Sequence, residues 1–274
     1  QKFNYHRRAR PEALGGRLSL LCGGDGGALG NAEEAFKHLF GELEPLHRPI
    51  QAHNEQQNSE SIAECRRLYC EAVEGAPSEK CNMLLAMAFP EGSPMHPAYG
   101  AGHATVAGGC VTMLKAFFEM FESGNSTVER ELVTPDGTSI SYEPDLATKG
   151  TKLKKSKSKD KLTVQGELDK LAANISIGRN MAGVHYYSDY FDSLRMGERV
   201  AVGILVEQAA TYGEHMEMRF NSFDGDLITI SGDAGKQVSI TIVDKNGNPV
   251  SEKNWWLRHV PGEEPINKSA LHTS

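Results

Sequence analysis

"IGRNMAGVHYYSDYFDSL", residues 177–194, joins two apolar helical patterns through a glycine. It sets an arginine, a histidine and an aspartate six and then four residues apart. Upstream, Leu168, Leu171, Ala172, Ile175 and Ala182 recur at helical steps, so a helix is predicted to run through Arg179. Arg179 falls on that stripe, where a cation is costly unless an anion meets it; an ordinary buried ion pair is the alternative. On one continuous helix His185 would point about 120° away from Arg179, at ~100° per residue. Gly183 stands between them, and a break there would swing His185 back toward the same pocket. Asp189, one turn beyond His185, is placed to accept a ring N–H and fix the tautomer, leaving the other nitrogen as ligand or nucleophile. Downstream, Leu194, Val200, Ile204 and Leu205 carry a further helix to about Tyr212.

A second stretch, "HPAYGAGHATVAG" at 96–108, holds His96 and His103 among small residues. From His103 a helix is predicted, with Val106, Cys110, Met113, Leu114, Phe117, Phe118 and Phe121 as its core stripe and Gly124 as its stop. His103 lies at the helix start, where unpaired N–H groups and the dipole suit an anion, and Gly102 lets an oxyanion come close. The alternative is that Ala101, Gly102, Ala104, Ala107, Gly108 and Gly109 are small only for close helix packing. At the N-terminus, Lys2 is followed by Arg10-Pro11, and Pro11 keeps Arg10 extended or in a turn.

The rest of the chain bounds the class. It has 274 residues, 39% hydrophobic and 24% charged, which is ordinary globular composition. A net charge of -7 argues against nucleic acid as a general partner. No apolar run is long enough for a membrane span and no signal peptide is visible. The compartment stays open. The first residue is Gln1, so the chain reads as a processed product or fragment. The five cysteines form no CxxC pair, which gives zinc little support, and Cys110 is expected in the core. "NAEEAFKHLFGEL" (31–43) and "SESIAECRRLYCEAV" (59–73) are helix candidates, and "AFPEGSPMHP" (88–97) is a loop. Residues 124–162, with seven lysines between 149 and 161, read as a solvated mobile loop. Near the C-terminus Val238, Ile240 and Ile242 alternate ahead of Asn246-Gly247, a hairpin signal. The expected architecture is mainly α: a helical bundle over 1–220 and a small β-rich appendage over 221–274.

Taken together, Lys2 and Arg10-Pro11, Gly102-His103, and Arg179 with His185 resemble the signature of the vanadium-dependent haloperoxidase and acid phosphatase superfamily. "KFNYHRRARPEALGG", "EGSPMHPAYGAGHATVAGGCVTMLKAFF" and the opening stretch are most similar to the vanadium bromoperoxidases of red algae and their cyanobacterial relatives. The resemblance covers residues 1 to about 215 and corresponds to the C-terminal half of such a subunit.

The resemblance implies a set of roles. His185 is the axial vanadium ligand. Lys2, Arg10, Arg179 and the Gly102 N–H hold vanadate, or phosphate in its place. His103 is the acid–base group, and His96 points to bromide or iodide chemistry. Hydrogen peroxide would oxidise the halide to hypohalous acid, which halogenates a small organic acceptor. The red-algal members form dodecamers, so a homo-oligomer is implied. The family's Ser-Gly-His is Ala101-Gly102-His103 here, so one hydroxyl hydrogen bond, worth about 1 kcal/mol, is absent. Two other readings compete: a metal-independent acid phosphatase with His185 as nucleophile, and an inactive oxyanion-binding fragment.

Overall fold

The computed structural model describes residues 2–56, 83–85, 87–88, 92–123, 126–132, 141–156, 161–233 and 238–258. The helix expected at 59–73 lies outside them. The chain divides into two compact units, Gln1–Ala101 with Ile177–Tyr190, and Gly102–Ser176 with Phe191–Ser274.

The first unit opens with a π-helical turn, Lys2–His6, and then α1, Pro11–Cys22. Pro11 takes the first helical position, where its missing N–H costs nothing. Arg10 before it is extended, at φ -69° and ψ 153°. After a 3-10 segment, Gly26–Ala32, come α2, Glu33–Glu42, and α3, Glu44–Gln56. Leu18 and Met83 form the core of this unit with Leu14, Phe36, Phe40 and Ile50 around them. The sequence pattern gave α2 alone. Gly15-Gly16 hid α1, and Pro49 hid α3, since both residue types ordinarily argue against a helix interior. Gly15 is required by packing: a Cβ there would come 2.7 Å from the Met83 carbonyl oxygen.

The second unit is built on α4, Gly102–Phe117, most of α5, Val164–Met181, and most of α6, Tyr187–Ala209. The small residues of α4 serve two purposes. Ala104, Ala107 and Gly108 are buried, and a Cβ on Gly108 would lie 2.0 Å from the Leu194 carbonyl oxygen of α6. Gly197 of α6 answers it, its Cβ position 1.9 Å from the Thr105 carbonyl oxygen. Gly102 has no such neighbour; nothing lies within 4 Å of its Cβ position.

The apolar stripe expected as the core of α4 is largely on the surface instead. Val106 is 64% exposed and Phe117 80%, and Met113, Leu114, Phe118 and Cys110 are exposed too. Only Phe121 of that set is buried, and the helix stops at Phe117, ahead of the expected Gly124. Leu171 and Ile175 of α5, and Val200 and Ile204 of α6, are likewise exposed. The true inner face of α4 is Ala104, Ala107, Gly108, Val111, Thr112 and Lys115. Hydrophobic spacing marks a helix face; it does not say what covers it.

Three strands, β3 (Met216–Asn221), β4 (Leu227–Gly232) and β5 (Ser239–Val243), form an antiparallel sheet in that order. The 124–162 segment also contains a small ladder, β1 (Tyr142–Pro144) with β2 (Leu153–Lys155), with Tyr142 opposite Lys155. The sheet's inner side supplies Met218, Phe220, Ile228, Ile230 and Ile242, which pack on Val202 and Leu205 of α6 and on Trp255 of a short helix α7, Glu252–Leu257. The expected hairpin turn is present: Gly247 has φ +85°, and the Asp244 N–H bonds to the Asn248 carbonyl at 2.9 Å.

A charged cluster, not visible in the sequence, ties this sheet to the helices. Lys115 is fully buried, 2.5 Å from the Asp169 carboxylate, and donates to the Asn221 carbonyl at 2.9 Å. Its ammonium lies 4.2 Å from the centre of the Phe223 ring. Glu198, 2% exposed, accepts the Phe223 N–H at 2.8 Å. Burial pushes the Glu198 carboxyl up to about 7, against the opposing charge of Lys115. The folded chain therefore holds a proton there that the unfolded chain has already released. Stability from this group is greatest at acid pH and falls by about 3 kcal/mol as pH rises from ~4.5 to ~7. Glu198→Gln keeps an acceptor for Phe223 and removes the titration. Urea unfolding followed by tryptophan fluorescence at pH 5 and pH 8 is expected to give a smaller difference in the variant than in wild type. An equal difference would rule Glu198 out as its source.

Candidate functional site

The break expected at Gly183 is present. Helix α5 ends at Met181, and Gly183 takes φ +75°. The Val184 N–H then bonds back to the Arg179 carbonyl at 3.2 Å, and the Gly183 N–H to that of Asn180 at 2.9 Å. This is the Schellman closure that a left-handed glycine permits. It turns the chain so that Val184 and His185 are buried just beyond the helix end.

Helix α6 starts two residues later, and Asp189 sits in its first turn. The Asp189 carboxylate is fully buried. One oxygen, Oδ2, accepts the backbone N–H of Tyr186 at 3.0 Å, half of a capping box. The same oxygen lies 3.1 Å from His185 Nδ1. Burial works to raise the Asp189 pKa, but the hydrogen bonds from His185 and from the Tyr186 N–H, with the charge of Arg8, outweigh it and hold the carboxyl below its usual value. Asp189 is therefore an ionised acceptor, as its spacing from His185 predicts.

Arg10 meets His185 from the other side. Its Nη1 is 3.1 Å from His185 Nε2 and donates to the Val184 carbonyl at 2.8 Å. A guanidinium only donates, so His185 Nε2 is the acceptor and the ring proton is on Nδ1, facing Asp189. The remaining donors of Arg10 go to His96: Nε to its carbonyl at 2.9 Å, and Nη2 to its Nδ1 at 2.9 Å. Burial lowers the Arg10 pKa; Asp189 opposes that, and the charge of Arg179 adds to it. Two guanidiniums and the His185 imidazole thus share one neighbourhood. Arg179, on the buried side of α5 by its spacing, is half-buried.

The other predicted residues stand as follows. Ala101 is buried at the end of the first unit, and Gly102 and His103 open α4 in the second, both exposed. Lys2 begins the π-helical turn, and its side chain lies outside the described residues. Sequence reasoning missed Arg8. It stands in "HRRAR" among three arginines of identical appearance, and only the fold distinguishes them. Arg8 Nη1 lies 2.6 Å from Asp189 Oδ1 and 2.7 Å from Ser188 Oγ.

Residues 46–212, more than half of the chain, match the family model described as the VCPO second helical-bundle domain. The chain belongs to that family. The matched span of this VCPO-type domain takes in His96, Gly102, His103, Arg179, His185 and Asp189. Among curated proteins it is 44% identical over 230 residues to a vanadium-dependent bromoperoxidase of Corallina pilulifera, covering 84% of this chain and 33% of that protein. It is 43% identical to the Corallina officinalis protein of the same name over 233 residues, again 84% of this chain and 33% of the relative. The namesake from Ascophyllum nodosum is 32% identical over 85% of this chain and 35% of its own length. The VCPO-type chain thus spans about a third of the length of these relatives. A solved structure, the homohexameric second vanadate-dependent bromoperoxidase of Ascophyllum nodosum, shares the fold with a TM-score of 0.53 and 24% identity, over 86% of this chain and 37% of that one.

Proposed function

We propose that this chain carries the vanadate-binding part of a vanadium-dependent bromoperoxidase, which uses hydrogen peroxide to oxidise bromide or iodide to hypohalous acid that halogenates an organic acceptor. One observation carries the reading. His185 has its Nδ1 proton committed to a buried, ionised Asp189 and its Nε2 lone pair turned to Arg10. That is the tautomer an imidazole needs to ligate through Nε2.

The donor set fits vanadate. Among the described residues no group of three or more His, Cys, Asp or Glu side chains is placed to hold a bare metal cation. Arg10, with Arg179 close enough to perturb it, offers what an oxyanion needs: planar N–H donors and positive charge away from water. Lys2 and the Gly102 N–H join this set by their motifs, with phosphate as the competing oxyanion. When bound, vanadate supplies a Lewis acid that activates peroxide without changing oxidation state. Arg10 and Arg179 hold the negative charge in place, and Asp189 keeps the His185 ring from turning. By its motif His103 moves the proton at its imidazole nitrogen. His96, exposed and bonded through Nδ1 to Arg10, is the halide-side residue. Among the described residues no helix is long and apolar enough to cross a membrane. The exposed apolar faces of α4, α5 and α6 support a homo-oligomer, with the dodecamer of the red-algal type as its specific form.

The test is direct. With vanadate, hydrogen peroxide and bromide, the chain is expected to brominate a phenol dye, and to lose that activity when vanadate is chelated. Hydrolysis of a phosphate ester without any bromination would overturn the reading in favour of a phosphatase.

A further inference from the structure

To control His185, Asp189 has to keep one particular oxygen on Nδ1. Its Oδ2 accepts two donors, from His185 and the Tyr186 N–H, at 3.1 and 3.0 Å. That leaves Oδ1. A fully buried carboxylate with one bare oxygen could turn about its own axis and offer either oxygen to the ring. Oδ1 is instead held by Arg8 Nη1 at 2.6 Å.

Arg8 is itself fixed at several points. The same Nη1 donates to Ser188 Oγ at 2.7 Å, its guanidinium lies 4.9 Å from the Tyr99 ring centre and 6.0 Å from that of Tyr186, and its carbonyl accepts the Ala98 N–H at 2.9 Å. Tyr99 is buried, so the surface under the cation is firm. The neighbouring arginines have other work. Arg7 donates its Nε to the Phe3 carbonyl, and Arg10 donates to His96, Val184 and His185. Arg8 is thus the side-chain cation in contact with Asp189 among the described residues.

We propose that Arg8 is a positioning residue: by pinning Asp189 Oδ1 it locks the carboxylate on His185 Nδ1, and so presents the Nε2 lone pair of His185 to the oxyanion. Its effect travels Arg8 to Asp189 to His185, through two hydrogen bonds. The proposal rests on His185 being the oxyanion's ligand for its consequence in binding, and on the geometry alone for its effect on the ring.

The experiment reads both levels in the full chain with Arg8→Met, which keeps the stem and removes the donors, and Arg8→Lys, which keeps the charge. Nitrogen-15 spectra of the histidine side chains, recorded without vanadate and assigned with His185→Gln, report the tautomer directly. Wild type is expected to show His185 protonated on Nδ1 alone. Arg8→Met is expected to show a mixture of tautomers and a vanadate dissociation constant raised about tenfold, the low end of what losing an outer partner of a metal ligand costs. Arg8→Lys is expected to restore the single tautomer and bring the dissociation constant to within threefold of wild type. Melting temperatures separate this from simple destabilisation. A single Nδ1–H tautomer in Arg8→Met overturns the proposal, as does affinity lost equally in both variants in step with melting temperature. If Arg8→Met does not fold, Arg8→Gln, neutral and similar in shape, is held to the same outcomes. Should wild type not bind vanadate at all, the proposed function fails, and the tautomer still decides the role of Arg8.

Discussion

His185→Ala is expected to abolish vanadate-dependent bromination, with kcat/KM down at least roughly a thousandfold, and to leave the fold intact. On the proposed reading this removes a covalent partner of the reacting centre, an interaction for which no neighbouring group substitutes. The loss leaves a small buried space and removes one of the two partners of Asp189 Oδ2, which still accepts the Tyr186 N–H while Oδ1 still holds Arg8. Asp189→Asn is the informative companion. It keeps the size of the side chain but places an N–H₂ where an acceptor stood. If the amide turns its NH₂ to His185 Nδ1, that nitrogen must become the acceptor, and the proton moves to Nε2, where the lone pair is needed. A wrong tautomer on an otherwise intact site costs orders of magnitude in rate. Steady-state bromination together with equilibrium vanadate binding tests both. A His185→Ala variant retaining a tenth of wild-type kcat/KM would show that His185 is not the ligand.

Gly197→Ala is expected to be the most destabilising glycine-to-alanine change among the described residues, by about 3 kcal/mol. The added Cβ would fall 1.9 Å from the Thr105 carbonyl oxygen and 2.7 Å from the Gly109 nitrogen. Both are backbone atoms of a helix, so neither can rotate aside; α4 and α6 must move apart as bodies. Gly108 faces the Leu194 carbonyl oxygen just as closely, so the separation would open the crossing on both sides. Gly41 in α2 is the control. Nothing lies within 4 Å of its Cβ position, and Gly41→Ala is expected to stabilise by up to ~1 kcal/mol. Chemical denaturation of the two variants measures the contrast. A Gly197→Ala chain as stable as wild type would mean that the helices cross at a greater distance.

The parts of this molecule that were legible in the sequence share a cause. Pro11 fixed the backbone of Arg10, Gly183 marked the break before His185, and Asn246-Gly247 marked a turn, each through local stereochemistry. The four-residue step from His185 to Asp189 was legible for the same reason. What the sequence hid depends on distant partners. Lys115 lies on α4 like any surface lysine, and only Asp169, Asn221 and Phe223 make its burial tolerable. Val106 and Phe117 announce an apolar face but carry no mark of its covering, so the inner face of α4 turned out to be its small residues. The same small residues looked like an anion cradle or a packing stripe. Packing accounts for Gly108, whereas nothing lies within 4 Å of the Cβ position of Gly102. Arg8 could not be told from Arg7 by any rule of spacing.

The link between α5 and α6 leaves the chain no freedom in length. The Schellman closure commits the carbonyl of Arg179 to Val184, and the capping box commits the N–H of Tyr186 to Asp189. His185 is the one residue between those two closures. An insertion or deletion of a single residue here cannot be absorbed as it would be in a surface loop, because either closure must open or His185 must leave its place between Arg10 and Asp189. From Arg179 to Asp189 this stretch is therefore a segment of fixed count, in which a change of length cannot be accommodated.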